Sequence, residues 1–535
     1  MGTTAAQATM AALDRAFVAA ERWLDAPFGA RANPLRNLGT LAFFLFWVLA
    51  ATGIYLFIFF DTSVEGAYAS IEALSVEQWW FGGVLRSVHR YASDAFVAAS
   101  LLHLLREFAA GRFRRFRAFS WISGVPLIWL MYASGIVGYW LVWDARAQIS
   151  ALSIAEWFDA IGVTAEPMAR NFLGAESVGD RLFSLFVFLH IGLPLALLAG
   201  MWIHVQRIGQ PNTIAPRGMV TATLAMLLAA ALLRPAASQP PWDPLQLPAS
   251  IEFDWILLFV HPLMAATSPA FLWVLIGGAT LLLIALPRLA PGPQPVAAVV
   301  DPANCNGCAR CTIDCPYQAV LLIPAPTVRT GRQVEIMAER CAACGLCAGA
   351  CPSSTPFRST EALAAGIDMP DSTVQAQRER LEASLARLAR APAAGGRIMV
   401  FGCASAANAA ALEDARTALL DMRCIGMLPP SFIEYALRSG ADGALLVSCR
   451  EGECLYRLGA ELTALRLAGE RQPVLRASVP RERLRMVALA AGDEAALGAA
   501  RDALRAALEA MGPAPARRPK RERPAAGEGE VRAHA

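Results

Sequence analysis

Residues 88–105 read VHRYASDAFVAASLLHLL, a stretch apolar enough to lie in lipid that nevertheless carries His89 and His103. An imidazole without a partner in hydrocarbon is costly, so the stretch raises the question of what its two histidines hold. Fourteen residues are nearly four helical turns, which puts both on one face about 21 Å apart along the axis. The same interval separates His190 and His204 in another apolar stretch, so four of the six histidines form two matched pairs. Pairing His89 with His190, and His103 with His204, gives two bis-histidine haem b sites, one toward each face of a membrane. The alternative, four isolated polar core residues, leaves the repeated spacing unexplained.

Neighbouring residues fit the same reading. Gly39 and Gly53, and again Gly124 and Gly138, lie fourteen apart in two further apolar stretches; lacking side chains, they let flat porphyrins approach the backbone. Arg86 and Arg106 each sit three residues from a ligand histidine. They are placed to meet haem propionates, or to snorkel as ordinary interfacial cations. Asp94 lies one turn inward of His89 and is either part of a proton path or a hydrogen-bonded structural acid. His261 has no partner at the fourteen-residue interval and reads as structural.

The 535 residues are 56% hydrophobic, with mean hydropathy +0.42, and the apolar residues concentrate before residue 290. Spans are expected over 38–60, 82–109, 119–143, 181–206, 217–235 and 269–288, most near the ~20 residues that cross a bilayer. Arg106, Arg112, Arg114, Arg115, Arg117, Arg207 and Arg217 flank loops of one parity. Asp61, Glu65, Glu72, Glu77, Asp144, Glu156 and Asp159 occupy the other. The positive-inside rule then predicts a multi-pass protein of the inner (cytoplasmic) membrane with both termini cytoplasmic. No short apolar region with a small-residue cleavage site precedes the first span, so no signal peptide is expected.

On the segments RSVHRYASDAFVAASLLHLLREFAAGRFRRFRAFSWISGVP, SGIVGYWLVWD and GAESVGDRLFSLFVFLHIGLPL, residues 36–288 resemble the cytochrome b of quinol-oxidising bc-type complexes. The resemblance implies a four-helix dihaem core, quinone sites near both membrane faces and a homodimer. That family marks its outer quinol site with Pro-Glu-Trp-Tyr; here the corresponding residues are Phe253, Asp254, Trp255 and Ile256. Asp254 would be the catalytic proton acceptor there, one methylene shorter than the family's Glu, or else an interfacial acid at a helix start.

All twelve cysteines lie between Cys305 and Cys454, after the last span and in a reducing compartment, which makes them metal-ligand candidates, not disulfides. Their absence before residue 305 excludes a thioether-attached third haem. CNGCARCTIDCP and CAACGLCAGACP repeat C-x2-C-x2-C-x3-C-P, the bacterial two-cluster ferredoxin spacing, in which the fourth cysteine crosses to the other 4Fe-4S cluster. One cluster takes Cys305, Cys308, Cys311 and Cys351; the other takes Cys341, Cys344, Cys347 and Cys315. Zinc is the alternative, but its sites close with four ligands and have no need of two interlocked octets. Further on, GRIMVFGC, DMRCIG and GALLVSC each read as a strand leading to a cysteine. Cys403, Cys424 and Cys449, with Cys454 following, would gather at the carboxyl edge of a parallel sheet. On RCIGMLPPSFIEYALRSGADGALLVSCREGECLYRLG this region resembles the delta subunit of methyl-viologen-reducing hydrogenases. That implies a 2Fe-2S cluster and a flavoprotein partner resembling heterodisulfide reductase. Ala406 stands where that family usually has a second cysteine; buried structural thiols are the alternative.

The expected fold is therefore an all-α dihaem membrane bundle of about six transmembrane helices, then an α+β bacterial-type ferredoxin domain and an α/β iron-sulfur domain. The divisions are 1–35 cytoplasmic segment, 36–288 membrane domain, 289–298 linker, 299–360 ferredoxin domain, 361–394 helical connector, 395–512 iron-sulfur domain and 513–535 disordered tail. The function expected is electron transfer between a cytoplasmic flavoprotein or dehydrogenase and membrane quinone. A haem-containing anchor without its own quinone site, and flow from quinol to a low-potential acceptor, are the alternatives. With no dinucleotide-binding glycine fingerprint and no phosphate loop, the organic substrate falls to another subunit; nucleic acid is not an expected partner.

Overall fold

The computed structural model describes residues 5–513 apart from 163–165, 173–177, 207–210, 212, 244–251, 253, 293–295, 329, 358–361, 392–395 and 451–452. Of the residues singled out above, Arg207, Phe253, part of the linker and the tail beyond 513 lie outside the described residues. The chain divides into two compact units, Met1–Pro295 and Val296–Ala535.

The first unit is helical. After α1 (Ala5–Ala32) come α2 (Leu38–Phe59), α3 (Val64–Val76), α4 (Val84–Ala109), α5 (Ala118–Trp140), α6 (Ala145–Asp159), α7 (Asp180–Gln206), α8 (Arg217–Leu233), the short α9 (Val260–Ala266) and α10 (Pro269–Leu289). Side-chain caps set several of the starts. Ser63 accepts from the Gly66 N–H at α3, Asp144 from Ala147 at α6, and Ser268 from Phe271 at α10. Four stretches are long and apolar enough to cross a membrane: Leu35–Phe59, Arg115–Trp140, Asp180–Val205 and Pro269–Leu289. Of the other two expected spans, α4 is 26 residues long but carries Arg86, Arg90, Asp94 and Arg106. α8 has 17 residues, the lower end of what spans a bilayer. α4 packs chiefly on α2, and α7 chiefly on α5. The two histidine helices thus belong to different packed pairs.

The segment before residue 36, which reads from sequence as a cytoplasmic stretch, is helical, with a kink at Gly29, where φ is 71°. From α1 the buried Glu21 carboxylate accepts from Arg106 Nε at 2.6 Å and pairs with Arg36 at 3.2 Å.

The second unit opens with two antiparallel pairs. β1 (Val299–Val300) lies beside β4 (Ile367–Asp368), and β2 (Val320–Pro324) beside β3 (Arg332–Ile336); the short helices α11 (Arg310–Asp314) and α12 (Leu346–Ala350) lie within the two cysteine runs. Next is α13 (Val374–Leu388), then β5 (Ile398–Cys403), β6 (Thr417–Met422), α14 (Pro430–Arg438), β7 (Gly443–Ser448), α15 (Gly459–Ala468), β8 (Leu484–Ala488) and α16 (Glu494–Met511). The four strands form a parallel sheet in the order β6-β5-β7-β8. β5 and β7 are buried at every residue, which is why their sequences run continuously apolar instead of alternating. The helix expected as a connector, α13, is in fact a packing layer of this sheet. It lies on β6, and Ser384 Oγ donates to the Leu419 carbonyl at 3.4 Å.

Candidate metal centres

The histidine pairs meet as their spacing requires. The His89 and His190 ring centres lie 6.3 Å apart. Two imidazoles bound end-on to one metal need nearly this, with bonds of ~2 Å and ring centres ~1 Å beyond each nitrogen. His103 and His204 are likewise electrostatic neighbours.

Hydrogen bonds set which ring nitrogen is free. The Thr52 hydroxyl donates to the Val48 carbonyl at 2.8 Å, so at 2.9 Å it can only accept from His89 Nδ1. Ser123 Oγ donates to the Ser120 carbonyl and in the same way accepts from His204 Nδ1 at 3.2 Å. His190 Nδ1 donates to the Ser134 carbonyl at 3.0 Å. In these three rings Nδ1 carries the proton and the Nε2 lone pair is left for iron, the usual outer support of a metal-binding imidazole. The donor set therefore fits haem b.

The four glycines lie opposite the four histidines. A Cβ on Gly39 would come 3.4 Å from His103, on Gly53 3.2 Å from His89, on Gly124 3.0 Å from His204 and on Gly138 2.7 Å from His190. What each glycine admits is an imidazole ring, so the clearance that reads from sequence as space for a porphyrin is clearance for the ligand. Gly138→Ala is expected to cost the outer haem, halving the haem content measured as pyridine haemochrome. Gly39→Ala, where the gap is already an ordinary contact, is expected to retain both.

Arg86 is buried among Glu72 at 3.3 Å, Ser238 at 2.6 Å and Ser75, and Arg106 holds Glu21. Each thus has protein partners that its spacing from a histidine does not announce. Asp254 is held on both oxygens: Oδ1 accepts from the Ile256 N–H at 2.7 Å, capping the turn, while Oδ2 accepts from the Tyr139 hydroxyl at 2.7 Å and from Arg90 at 2.5 Å. Arg90 also pairs with Asp94 at 2.6 Å. One guanidinium, with no motif to mark it in the sequence, joins the two candidate acids. His261 is buried, with Nε2 3.0 Å from Ser150 Oγ, itself bonded by Trp140 Nε1, in keeping with a structural role.

The ferredoxin cysteines sort into the two crossed sets. Burial first, and then the neighbouring thiols of Cys351, Cys308 and Cys305, push the Cys311 thiol up to about 12. Burial likewise pushes Cys344 up to about 12, opposed by the Leu346 N–H and reinforced by Cys315 and Cys341. Cys315, Cys341, Cys344 and Cys347 line one small pocket. In both repeats the residues flanking the second cysteine take positive φ, 65° and 61° at Gly307 and Ala309, 54° and 78° at Ala343 and Gly345. Such a turn aims backbone N–H groups at an anionic centre.

Cys403 ends β5, Cys424 follows β6 and Cys449 follows β7, so three cysteines do gather at the carboxyl edge of the sheet; all four, Cys454 included, are buried. Cys403 Sγ is 3.6 Å from Cys449 Sγ. Cys403 and Cys454 each contact both Cys424 and Cys449, closing a ring of sulfurs. Thiol hydrogen bonds within the ring hold Cys403 and Cys454 low and push Cys424 and Cys449 up. Four sulfurs this close cannot all ionise without cationic compensation, which a bound metal would supply. Ala406 is buried beside Cys403 without joining the ring.

Clustered cysteine sets and paired, buried histidines in one chain define a membrane protein of the electron-transfer class. Residues 24–211 match the family Cytochrome b/b6/petB, residues 304–355 the 4Fe-4S dicluster domain, and residues 398–512 the delta subunit of methyl-viologen-reducing hydrogenase. The chain thus carries a cytochrome b/b6 domain, a 4Fe-4S dicluster domain and a hydrogenase delta-subunit-like domain, in that order. Among solved structures it is similar to a chain described as "Hyperthermophilic respiratory Complex III", at 21% identity over 48% of this chain and 76% of that one, with a TM-score of 0.37.

Proposed function

We propose that this protein links a cytoplasmic flavoprotein or dehydrogenase to the quinone pool, in an inner membrane that it crosses six times with both termini and all cysteine sets on the cytoplasmic side. The observation that carries the reading is the coexistence, in one chain, of two histidine pairs, three of whose four rings are tautomer-fixed, and three four-cysteine groups. Bound there, two b haems, two 4Fe-4S clusters and one 2Fe-2S cluster would carry single electrons. His89 and His190 hold the outer haem, and His103 and His204 the inner. Thr52, Ser123 and Ser134 keep Nε2 available at three of these ligands. Arg86 and Arg106, engaged here by Glu72 and Glu21, would be the cations to meet haem propionates on the two sides.

Quinone reduction is assigned to the inner side. Carrying an electron outward against no other charge dissipates about 2.3 kcal/mol per 100 mV of membrane potential, and reduction at the inner side avoids that loss. Asp254 supports this assignment, because its two oxygens serve as turn cap and as partner of Arg90 and Tyr139. In membrane vesicles, Asp254→Asn is expected to change quinone reduction by the complete complex by no more than a few-fold. Near-total loss, with haems and clusters intact, would refute the inner-side assignment.

A further inference from the structure

The largest fully buried side chain in the second unit is a cation, Arg466, 1% exposed. It pairs with Asp314, 2% exposed, at 2.6 Å. One guanidinium nitrogen donates to the Gly426 carbonyl at 2.8 Å, the other also to the Leu346 carbonyl at 3.4 Å. Arg471 donates to the second oxygen of Asp314 at 2.8 Å. These partners fall beside three cysteines: Asp314 precedes Cys315, Leu346 precedes Cys347, and Gly426 is two residues beyond Cys424. The seam is tight as well as charged. A Cβ on Gly349 would come 2.9 Å from Arg466 Nη1, and one on Gly426 2.8 Å from the Gly459 backbone and 3.1 Å from Leu346. Gly459 in turn lies against the sulfurs of Cys424 and Cys454.

A buried ion pair is seldom retained for stability alone, since apolar packing of the same volume does as well. Here Arg466 and Asp314 are both buried, and Arg471, a third exposed, adds a second positive charge at the edge of the pair. Added negative charge at neighbouring sulfurs is favoured beside a buried guanidinium. The contacts are weighted toward one side. By hydrogen bonds, Arg466 reaches a carboxylate and a carbonyl adjacent to two ligands of the Cys315/Cys341/Cys344/Cys347 set, against one carbonyl two residues beyond Cys424, the thiol of the other set with which it also interacts electrostatically.

We propose that Arg466 is a positioning residue that fixes the C-terminal cysteine set against the second ferredoxin set and biases a shared electron toward the ferredoxin set. The inference rests on the proposed function, in that both sets hold clusters. The electron comes from a one-electron donor of the reduced-flavin class and moves from one set to the other. One set is oxidised by one electron as the other is reduced by one.

The test is an equilibrium redox titration of the full-length protein followed by paramagnetic resonance, with signals assigned by their loss in Cys344→Ala and Cys449→Ala chains. Arg466→Met is expected to shift the sharing of an electron about tenfold toward the C-terminal set, equivalent to about 59 mV for one electron. Arg466→Lys, which keeps the charge, should stay within about twofold by the same measure. Asp314→Asn should shift the balance in the opposite sense, a reversal that a merely structural contact would not produce. The Asp314 variant also decides the matter if Arg466→Met loses iron. Unchanged relative potentials, or shifts of one sign in both variants, would overturn the proposal. Wild-type iron and sulfide are assayed in the same samples. Failure to bind clusters, which overturns the proposed function together with this role, is thereby told apart from unchanged potentials, which overturn the role alone.

Discussion

Replacing His103 with Leu is expected to remove the inner haem and with it the route between the cysteine domains and the membrane. Haem content should fall by half, because His204 keeps its Nδ1 bond to Ser123 but loses the imidazole that faces it, and one ligand does not hold a bis-histidine haem. The outer pair should survive: His89 and His190 are about 21 Å further along the helix axis and are braced independently by Thr52 and Ser134. Electrons supplied to the iron-sulfur groups should then reduce the remaining haem only at the background rate. His89→Leu makes the complementary case, with one haem again lost but inner-haem reduction preserved. Equal rates in the two variants would remove the order assigned to the two sites.

A comparable loss is expected at the other end of the chain. Cys449→Ala opens the sulfur ring between Cys403 and Cys454, whose only ring neighbours are Cys424 and Cys449. Non-haem iron should fall from roughly ten to roughly eight atoms per chain, as one 2Fe-2S group is lost beside two 4Fe-4S groups. Reduction by a flavoprotein donor should be abolished, while dithionite still reduces the two ferredoxin centres. The sheet should persist, since β7 is buried along its whole length by apolar neighbours independent of the thiol. A wild-type value already near eight would point to Ala406 as the position where ligation was lost.

Features that repeat at a fixed interval are legible in the amino-acid sequence. The fourteen-residue histidine and glycine intervals, the doubled cysteine run and the cysteines closing apolar strands each carry a period or spacing that chemistry explains. The crossing of Cys315 and Cys351 between the two sets follows from that spacing and is met in the thiol neighbours of Cys311 and Cys344. Contacts between residues far apart in the chain have no period to announce them. Arg90 joins Asp94 to Asp254, 164 residues away, and Arg466 reaches Asp314 across 152. Thr52 and Ser123 do carry a signal, each standing directly before a glycine that faces a histidine. α13 reads as a connector because its charged outer face hides an inner stripe of Val374, Leu381, Leu385 and Leu388, all buried. In α1, Glu21 is an acid in a polar segment and reads as solvated, although Arg36 and Arg106 enclose it.

The central claim is that cysteine sets and histidine pairs form one conducting chain, and it is tested most directly by rapid mixing. The full-length protein, in sealed vesicles with its cysteine domains outward, is mixed with a membrane-impermeant one-electron donor while the haem α-band and the iron-sulfur absorbance are followed together. The account predicts that the iron-sulfur bleach precedes haem reduction, that the first haem reduced is the one lost in His103→Leu, and that added quinone reoxidises it. Haem reduction that keeps its wild-type rate when Cys344→Ala removes a ferredoxin cluster would contradict the account.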